Sequence, residues 1–129
     1  ASSGSGPDWE TFSAQRVSEL RNTGRPVFVD FTAAWCLSCQ VNERIALHNS
    51  EVVQKFEELG VVALKADWTS RDPEITKALA EFGRNSVPLY VLYTGEADAE
   101  PVILSEILTP GIVLDALKDV KTHTTASVE

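Results

Sequence analysis

The chain has 129 residues, of which 43% are hydrophobic and 23% are charged, so it is expected to form one globular domain with a core of its own. Its formal net charge of −8 at pH 7 argues against binding to nucleic acid or to an anionic membrane, because both need clustered basic side chains. No run of about 18 apolar residues is present, so no membrane-spanning segment is predicted.

Both ends of the chain are predicted to lie outside the folded domain. Residues 1–7 are small, and their side chains are uncharged. This composition is typical of a flexible linker or a remnant of an expression vector. Residues 122–129 form a mostly polar tail. The remainder, residues 8–121, is the expected domain.

Local signals predict strands and helices through the first third of the chain. Residues 9–12 are expected to form an extended segment at the edge of a sheet. Ser13 can cap a helix that runs to Asn22. Residues 27–31 form a short apolar run, which is typical of a strand buried on both faces. The helix that follows carries both cysteines and should run to about Leu47.

The middle of the chain predicts two more helices around a strand. Residues 50–60 have apolar side chains at helical spacing, with Ser50 as the expected cap and a glycine at the end. Residues 61–66 are expected to form a strand. An Asp-Pro-Glu sequence opens a helix over residues 72–82, because it supplies a cap, a first-turn proline and an acidic side chain.

The last part of the chain predicts two strands and a helix. Residues 87–93 and residues 101–106 are close enough in sequence to pair antiparallel. Pro110 can begin a final helix that reaches Val120. The order β-α-β-α-β-β-α, with an extra edge strand at the start, predicts an α/β fold in which a central mixed β-sheet is flanked by helices.

The only two cysteines, Cys36 and Cys39, stand at the junction between a predicted strand and a predicted helix. The first sulfur would lie at the helix N-terminus, where unpaired backbone N–H groups and the helix dipole favour a thiolate. The second sulfur lies one turn further along, close enough to form a disulfide. The spacing therefore predicts a redox-active pair, with Cys36 as the exposed nucleophile and Cys39 as the buried resolving thiol.

Other kinds of site also use two cysteines separated by two residues. Haem attachment needs a histidine after the second cysteine, and this chain has Gln40 there. A zinc site needs about four ligands, and only His48 and His123 could supply imidazole, so no metal is predicted. A structural bridge in a non-enzymatic binding module stays open as an alternative. Redox chemistry is favoured, and it needs no cofactor because the two sulfurs carry the electrons.

Two carboxylates are candidates for proton transfer. Asp30 lies within the apolar strand, where a charge costs several kcal/mol unless it is paired or neutralised. It is expected to be a buried proton acceptor with a raised pKa, although a solvent-exposed aspartate at a strand end is the alternative. Glu43, four residues after Cys39, should share a helix face with both cysteines and raise the pKa of Cys36, unless it is an ordinary solvated glutamate.

Three residues are candidates for substrate binding. A cis bond between Val87 and Pro88 would present the Val87 backbone to an incoming peptide beside the sulfurs, although a trans proline at a strand end is the commoner arrangement. Trp35 precedes Cys36, where it would shield the sulfur and offer an apolar contact to substrate.

Together these residues resemble the thioredoxin superfamily. The matching features are the strand end at residues 29–31, the Ala-Trp-Cys-x-x-Cys sequence at residues 34–39, and the Val87-Pro88 pair. The resemblance covers about residues 9–121 and implies a thioredoxin-like fold. More narrowly, residues 31–43 and 65–69 look like the C-terminal thioredoxin-like domain of the DsbD family of membrane reductant conductors.

The DsbD resemblance implies carboxylates at Asp30 and Glu43 and a cis-proline at Pro88. It also implies a periplasmic domain of an inner-membrane protein, monomeric in isolation. Such a domain takes electrons from a transmembrane donor domain and passes them to disulfides of a partner domain that serves disulfide isomerases and cytochrome c maturation, or to other periplasmic thiol-disulfide proteins. A freestanding thioredoxin-like general reductase is the alternative. Leu37-Ser38 differs from the Gly-Pro pair of ordinary thioredoxins, so the resemblance fixes no reduction potential.

Overall fold

Five strands form one mixed sheet in the computed structural model, which describes residues 7–96 and 99–120. The strands are β1 (Trp9–Thr11), β2 (Val27–Thr32), β3 (Val62–Asp67), β4 (Leu89–Tyr93) and β5 (Val102–Ile103). Their order across the sheet is β1-β3-β2-β4-β5. The first three strands are parallel, β4 runs antiparallel to β2, and β5 runs antiparallel to β4.

Helices cover both faces of this sheet. They are α1 (Ala14–Asn22), α2 (Leu37–Asn42), α3 (Ser50–Leu59), α4 (Pro73–Glu81) and α5 (Pro110–Leu117). A π-helical turn, Glu43–Leu47, continues α2 and contains an i→i+5 hydrogen bond from the His48 N–H to the Glu43 carbonyl.

The central position of β2 explains its apolar sequence. It lies between β3 and β4, and every one of its residues is buried. Val27, Val29 and Phe31 face the core that includes side chains of α1 and α4, whereas Phe28 faces the core that includes side chains of α3 and α5. Asp30 alternates with the same period and therefore shares the face of Phe28.

The predicted mixed sheet flanked by helices is confirmed, and the differences lie at the ends of elements. The strand predicted for residues 101–106 pairs over only Val102–Ile103. β4 begins at Leu89, two residues later than predicted. The helix with the cysteines reaches Leu47 as predicted, but its last turn is π-helical.

The predicted cap of α3 was wrong by one residue. Asn49 caps the helix, because its side-chain oxygen accepts hydrogen bonds from the Glu51 and Val52 N–H groups at 3.0 and 3.1 Å. Ser50 is instead the first residue of the helix and is exposed. Asparagine is at least as good a cap as serine, so the sequence alone did not separate the two positions.

The predicted linker, apart from Pro7, and the predicted tail at residues 122–129 lie outside the described residues. Within the described part of the chain, no helix has the length and apolar character needed to cross a bilayer. Pro7 itself precedes β1 and is half-buried.

The cap of α3 gives a stability test. Asn49→Ala is expected to lower the free energy of unfolding by about 1 kcal/mol, because two backbone N–H groups lose their acceptor. Ser50→Ala, the matched control at an exposed helix position, should change it by less than about 0.5 kcal/mol. Urea unfolding followed by circular dichroism measures both values. Equal losses in the two variants would contradict the assignment of the cap.

Candidate active site

The two cysteines form a disulfide at the start of α2. Cys36 is the N-cap residue, and its sulfur accepts a hydrogen bond from the Cys39 N–H at 3.2 Å. The Cα atoms of the pair are 5.3 Å apart. Cys36 is 7% exposed and Cys39 is fully buried. The predicted order of exposure is therefore present, although Cys36 offers a smaller surface than the sequence analysis expected.

Val87 packs against this disulfide. Ala33, Cys36 and Cys39 form a small buried cluster, and the Val87 side chain is in contact with it. The bond between Val87 and Pro88 is cis, as predicted. The structure thus brings one of the predicted substrate-binding residues onto the cysteine pair.

Trp35 lies at the surface beside a second tryptophan. It is 48% exposed, and its ring nitrogen donates to the Thr69 carbonyl oxygen at 3.1 Å. Its ring centroid lies 5.9 Å from that of Trp68, which is buried. The Arg71 guanidinium lies 5.0 Å from the Trp35 centroid and 4.8 Å from the Trp68 centroid. Sequence reasoning did not find Arg71, whose φ of 57° is unusual for a residue other than glycine.

The turn after β3 is attached to the segment that precedes Cys36. The Ala34 N–H donates to the Thr69 hydroxyl oxygen at 2.8 Å. The Asp67 carboxylate accepts hydrogen bonds from the Thr69 hydroxyl and from the Thr69 N–H, and these bonds lower the pKa of Asp67. This turn therefore fixes the backbone on one side of the disulfide.

Asp30 lies at the centre of the sheet, completely buried. Neither of its carboxylate oxygens has a hydrogen-bond partner among the described residues. Its neighbours across the sheet are Lys65 on β3 and Tyr90 on β4. Burial raises the pKa of Asp30 well above its ordinary value, the nearby Glu43 carboxylate raises it further, and Lys65 acts in the opposite direction. Asp30 is therefore not the solvent-exposed aspartate that was the alternative for this position.

Glu43 faces inward and is paired with a lysine. Its side chain is 12% exposed, and its carboxylate lies 3.6 Å from the Lys65 ammonium. The same ammonium lies 4.9 Å from the centroid of Trp9. Glu43 therefore lies beside both Asp30 and Lys65, rather than in solvent. Lys65 was not among the residues predicted from the sequence. A lysine within the apolar strand β3 was the signal that could have identified it.

Asn42 connects α2 to β4 and to the loop after β5. Its side-chain nitrogen donates to the Tyr90 hydroxyl oxygen at 2.9 Å and to the Glu106 carbonyl at 2.8 Å. The Leu108 N–H donates to its side-chain oxygen at 3.1 Å. Burial, followed by the charge of Asp30, raises the pKa of Tyr90. Asn42 was not found from the sequence, because its partners are distant along the chain.

The arrangement can support two-electron exchange. Cys36 keeps a small exposed surface, Cys39 is covered by protein, and a carboxyl with a raised pKa is buried on β2, the strand that precedes the cysteines in the chain. Within residues 7–96 and 99–120, no group of three or more His, Cys, Asp or Glu side chains is arranged to hold a metal ion.

Comparison with known sequences gives one family. Residues 8–95 match the family model described as Thioredoxin-like. The thiol:disulfide interchange protein DsbD of Ralstonia nicotianae is 30% identical over an alignment 112 residues long that covers 79% of this chain and 18% of that protein. DsbD of Vibrio cholerae is 33% identical over 89 residues, which are 67% of this chain and 14% of that protein. The chain thus spans less than a fifth of the length of these relatives.

Comparison with solved structures confirms the predicted thioredoxin-like fold. The oxidised C-terminal domain of Neisseria meningitidis DsbD superimposes with a TM-score of 0.67 at 21% identity, covering 87% of this chain and 100% of that domain. A thioredoxin from Thermus thermophilus superimposes with a TM-score of 0.72 at 21% identity, covering 95% of this chain and 94% of the other.

The buried carboxyl of Asp30 gives a test by pH. A carboxyl whose pKa is higher in the folded than in the unfolded chain stabilises the fold fully below its unfolded pKa of about 3.9. That stabilisation is lost as the pH rises through the folded pKa. The native protein should therefore lose stability relative to Asp30→Asn from about pH 4 upward, by about 1.4 kcal/mol for each tenfold change in proton affinity.

Urea unfolding of the oxidised proteins between about pH 4 and 9 measures this difference. Asp119→Asn, at an exposed position, is the matched control and should follow the native protein at every pH. A constant difference between the native protein and Asp30→Asn over this range would show that Asp30 has no raised pKa.

Proposed function

The chain belongs to the thioredoxin-like family, and from this premise we propose that it is a thiol:disulfide oxidoreductase domain that works through Cys36 and Cys39. The observation that carries the proposal is the disulfide at the N-terminus of α2, in which Cys36 is 7% exposed and Cys39 is fully buried. A bridge that only stabilised the fold would not need one of its cysteines to retain contact with solvent.

In the reducing direction, the Cys36 thiolate attacks one sulfur of a partner disulfide. The partner S–S bond breaks, one partner sulfur leaves as a thiolate, and a mixed disulfide forms. Cys39 then loses its proton and attacks the Cys36 sulfur, which releases the second partner thiol and restores the bond between Cys36 and Cys39. The hydrogen bond from the Cys39 N–H to the Cys36 sulfur supports the thiolate form of Cys36.

The buried carboxyls serve the proton that leaves Cys39. Asp30 has a pKa raised by burial, which makes it suited to accept and return a proton at a higher pH than an ordinary carboxyl. Glu43 follows Cys39 by four residues, and its carboxylate is paired with Lys65. This pairing holds the carboxylate in a position from which it raises the pKa of Asp30. We assign Asp30 and Glu43 to proton transfer and to control of the Cys36 pKa.

Substrate contact is assigned to residues around the sulfurs. Val87 packs against the cysteine cluster, and Pro88 follows it by a cis bond at the entrance to β4. Trp35 presents an exposed indole beside Cys36, held by its hydrogen bond to the Thr69 carbonyl. An incoming peptide would therefore meet an aromatic face and a backbone edge.

The relatives suggest where such a domain works. Proteins named DsbD match this chain over a small part of their length, and the DsbD C-terminal domain shares its fold. We therefore propose a soluble domain of an inner-membrane protein, located in the periplasm. It would receive electrons from a membrane donor domain and deliver them to a partner domain or to periplasmic thiol-disulfide proteins.

A freestanding general reductase is the second candidate. The observation that favours it is the likeness in fold to the thioredoxin from Thermus thermophilus, which covers nearly all of both chains. Reduction of many unrelated protein disulfides at similar rates would support this candidate, whereas strong preference for one partner would support the domain of a membrane conductor.

Trapping identifies the nucleophile. Cys39→Ala, once incubated with a disulfide-linked peptide dimer, is expected to accumulate a mixed disulfide through Cys36, because no resolving thiol remains. Cys36→Ala should form no adduct on the same time scale, since Cys39 is fully buried. Mass spectrometry under non-reducing conditions measures both. An adduct on Cys39 in the second variant would reverse the assignment.

Redox titration separates a working pair from a structural bridge. A working pair is expected to have a reduction potential within the range of about −120 to −270 mV found in redox catalysts. A bridge that serves only stability should lie below about −300 mV. Equilibration of the native chain with glutathione or dithiothreitol buffers, followed by tryptophan fluorescence, gives the value. A potential below about −300 mV would favour the non-enzymatic binding module.

A further inference from the structure

An exposed row of apolar side chains begins at the cysteine pair. Leu37, Val41 and Ile45 follow one another at four-residue intervals and are 78%, 40% and 51% exposed. Four residues of an α-helix turn about 40° more than one full turn, so such a row would drift around the helix. The wider π-helical turn counteracts this drift at Ile45. We call these three residues the apolar ridge.

The loop after β5 holds a further exposed apolar side chain near α2. Asn42 accepts a hydrogen bond from the Leu108 N–H and donates one to the Glu106 carbonyl. The two bonds hold both neighbours of Ile107 against α2, while the Ile107 side chain remains 73% exposed. Ile107 is therefore a fourth large apolar side chain exposed near α2.

The surface carries little charge, although the chain as a whole is acidic. Residues 31–42 contain no Asp, Glu, Lys or Arg, whereas the net charge of the chain is −8. Arg44 is exposed on the same helix, and Glu106 is paired with Arg84 at 2.8 Å. An apolar, nearly uncharged surface on an acidic protein suits a partner surface that is also apolar and uncharged.

The ridge is continuous with the reacting bond. Cys36 is only 7% exposed, so a partner sulfur can reach it only when the partner surface approaches the neighbouring residues closely. Leu37 follows Cys36 directly and would be covered in that approach. Val41 and Ile45 extend the contact along α2.

We propose that the apolar ridge is the docking surface for a partner protein that presents an apolar, uncharged surface beside its own disulfide. The proposal rests on the proposed thiol:disulfide exchange and adds the chemistry of the partner. A contact made by three side chains belongs with the small interfaces of transient redox complexes, below about 1,200 Å² in total. A few apolar side chains then give selectivity without slow release of the product.

Two synthetic peptide disulfides test the proposal. Each is a disulfide-linked dimer with one cysteine per strand and the same lysines at its ends. In one dimer the cysteine is flanked by leucine and valine, and in the other by serine and glycine. The reduced chain is mixed with either dimer, and its two thiols and the peptide disulfide become the chain disulfide and two peptide thiols. The measured quantity is the ratio of the two second-order rate constants, apolar over polar.

The double variant Val41→Gln/Ile45→Gln is expected to lower this ratio about fivefold, because the apolar peptide loses its contact. Both positions are exposed, so the fold should survive, and urea unfolding checks this. Ile103→Gln is the matched control, since Ile103 is 42% exposed on the edge strand β5 and outside the ridge. It should leave the ratio unchanged within twofold.

The outcomes separate this proposal from the proposed function. Reduction of both peptides with an unchanged ratio in Val41→Gln/Ile45→Gln would overturn the docking surface alone. An equal loss in Ile103→Gln would show general apolar adhesion and would also overturn it. Reduction of neither peptide by the native chain would contradict the exchange activity itself. Sedimentation of the native chain adds one further outcome, because self-association abolished by the double variant would show that a second copy covers the ridge.

Discussion

A buried carboxyl on the central strand is the constraint around which the site is arranged. An apolar residue at the position of Asp30 would pack without the cost of removing a polar group from water. The carboxylate oxygens of Asp30 have no hydrogen-bond partner among the described residues. Two effects reduce the cost of burying Asp30. Lys65 on the adjacent strand stabilises the charged carboxylate, and the raised pKa keeps the carboxyl neutral over part of the pH range. A sheet that needed only stability would replace Asp30, so its presence agrees with a role in proton transfer.

Contacts between distant segments hold the remaining parts of the site. Thr69 fixes the backbone before Cys36 through the Ala34 N–H, and Asn42 fixes the helix after Cys39 through β4 and the loop beyond β5. The disulfide therefore lies between two hydrogen-bonded anchors. Each anchor belongs to a different element, so the position of the sulfurs depends on the whole sheet rather than on α2 alone.

Features with local signals could be predicted from the sequence. The cysteine spacing, the apolar run around Asp30 and the cap and proline at the start of α4 each depend on neighbouring residues. Lys65 and Asn42 depend instead on strand register and on loops far along the chain, which no local pattern encodes. The π-helical turn also escaped prediction, because apolar spacing alone does not distinguish an i→i+5 bond from an i→i+4 bond.

The π-helical turn has a consequence for aligning this chain with others. A helix with an i→i+5 bond holds one residue more than a regular α-helix over the same path. A homologue with an unbroken α-helix here would be one residue shorter, and the gap belongs within residues 43–47. A gap placed between Cys39 and Glu43 would shift the column of Glu43 and pair this carboxylate with a side chain that points about 100° away around the helix.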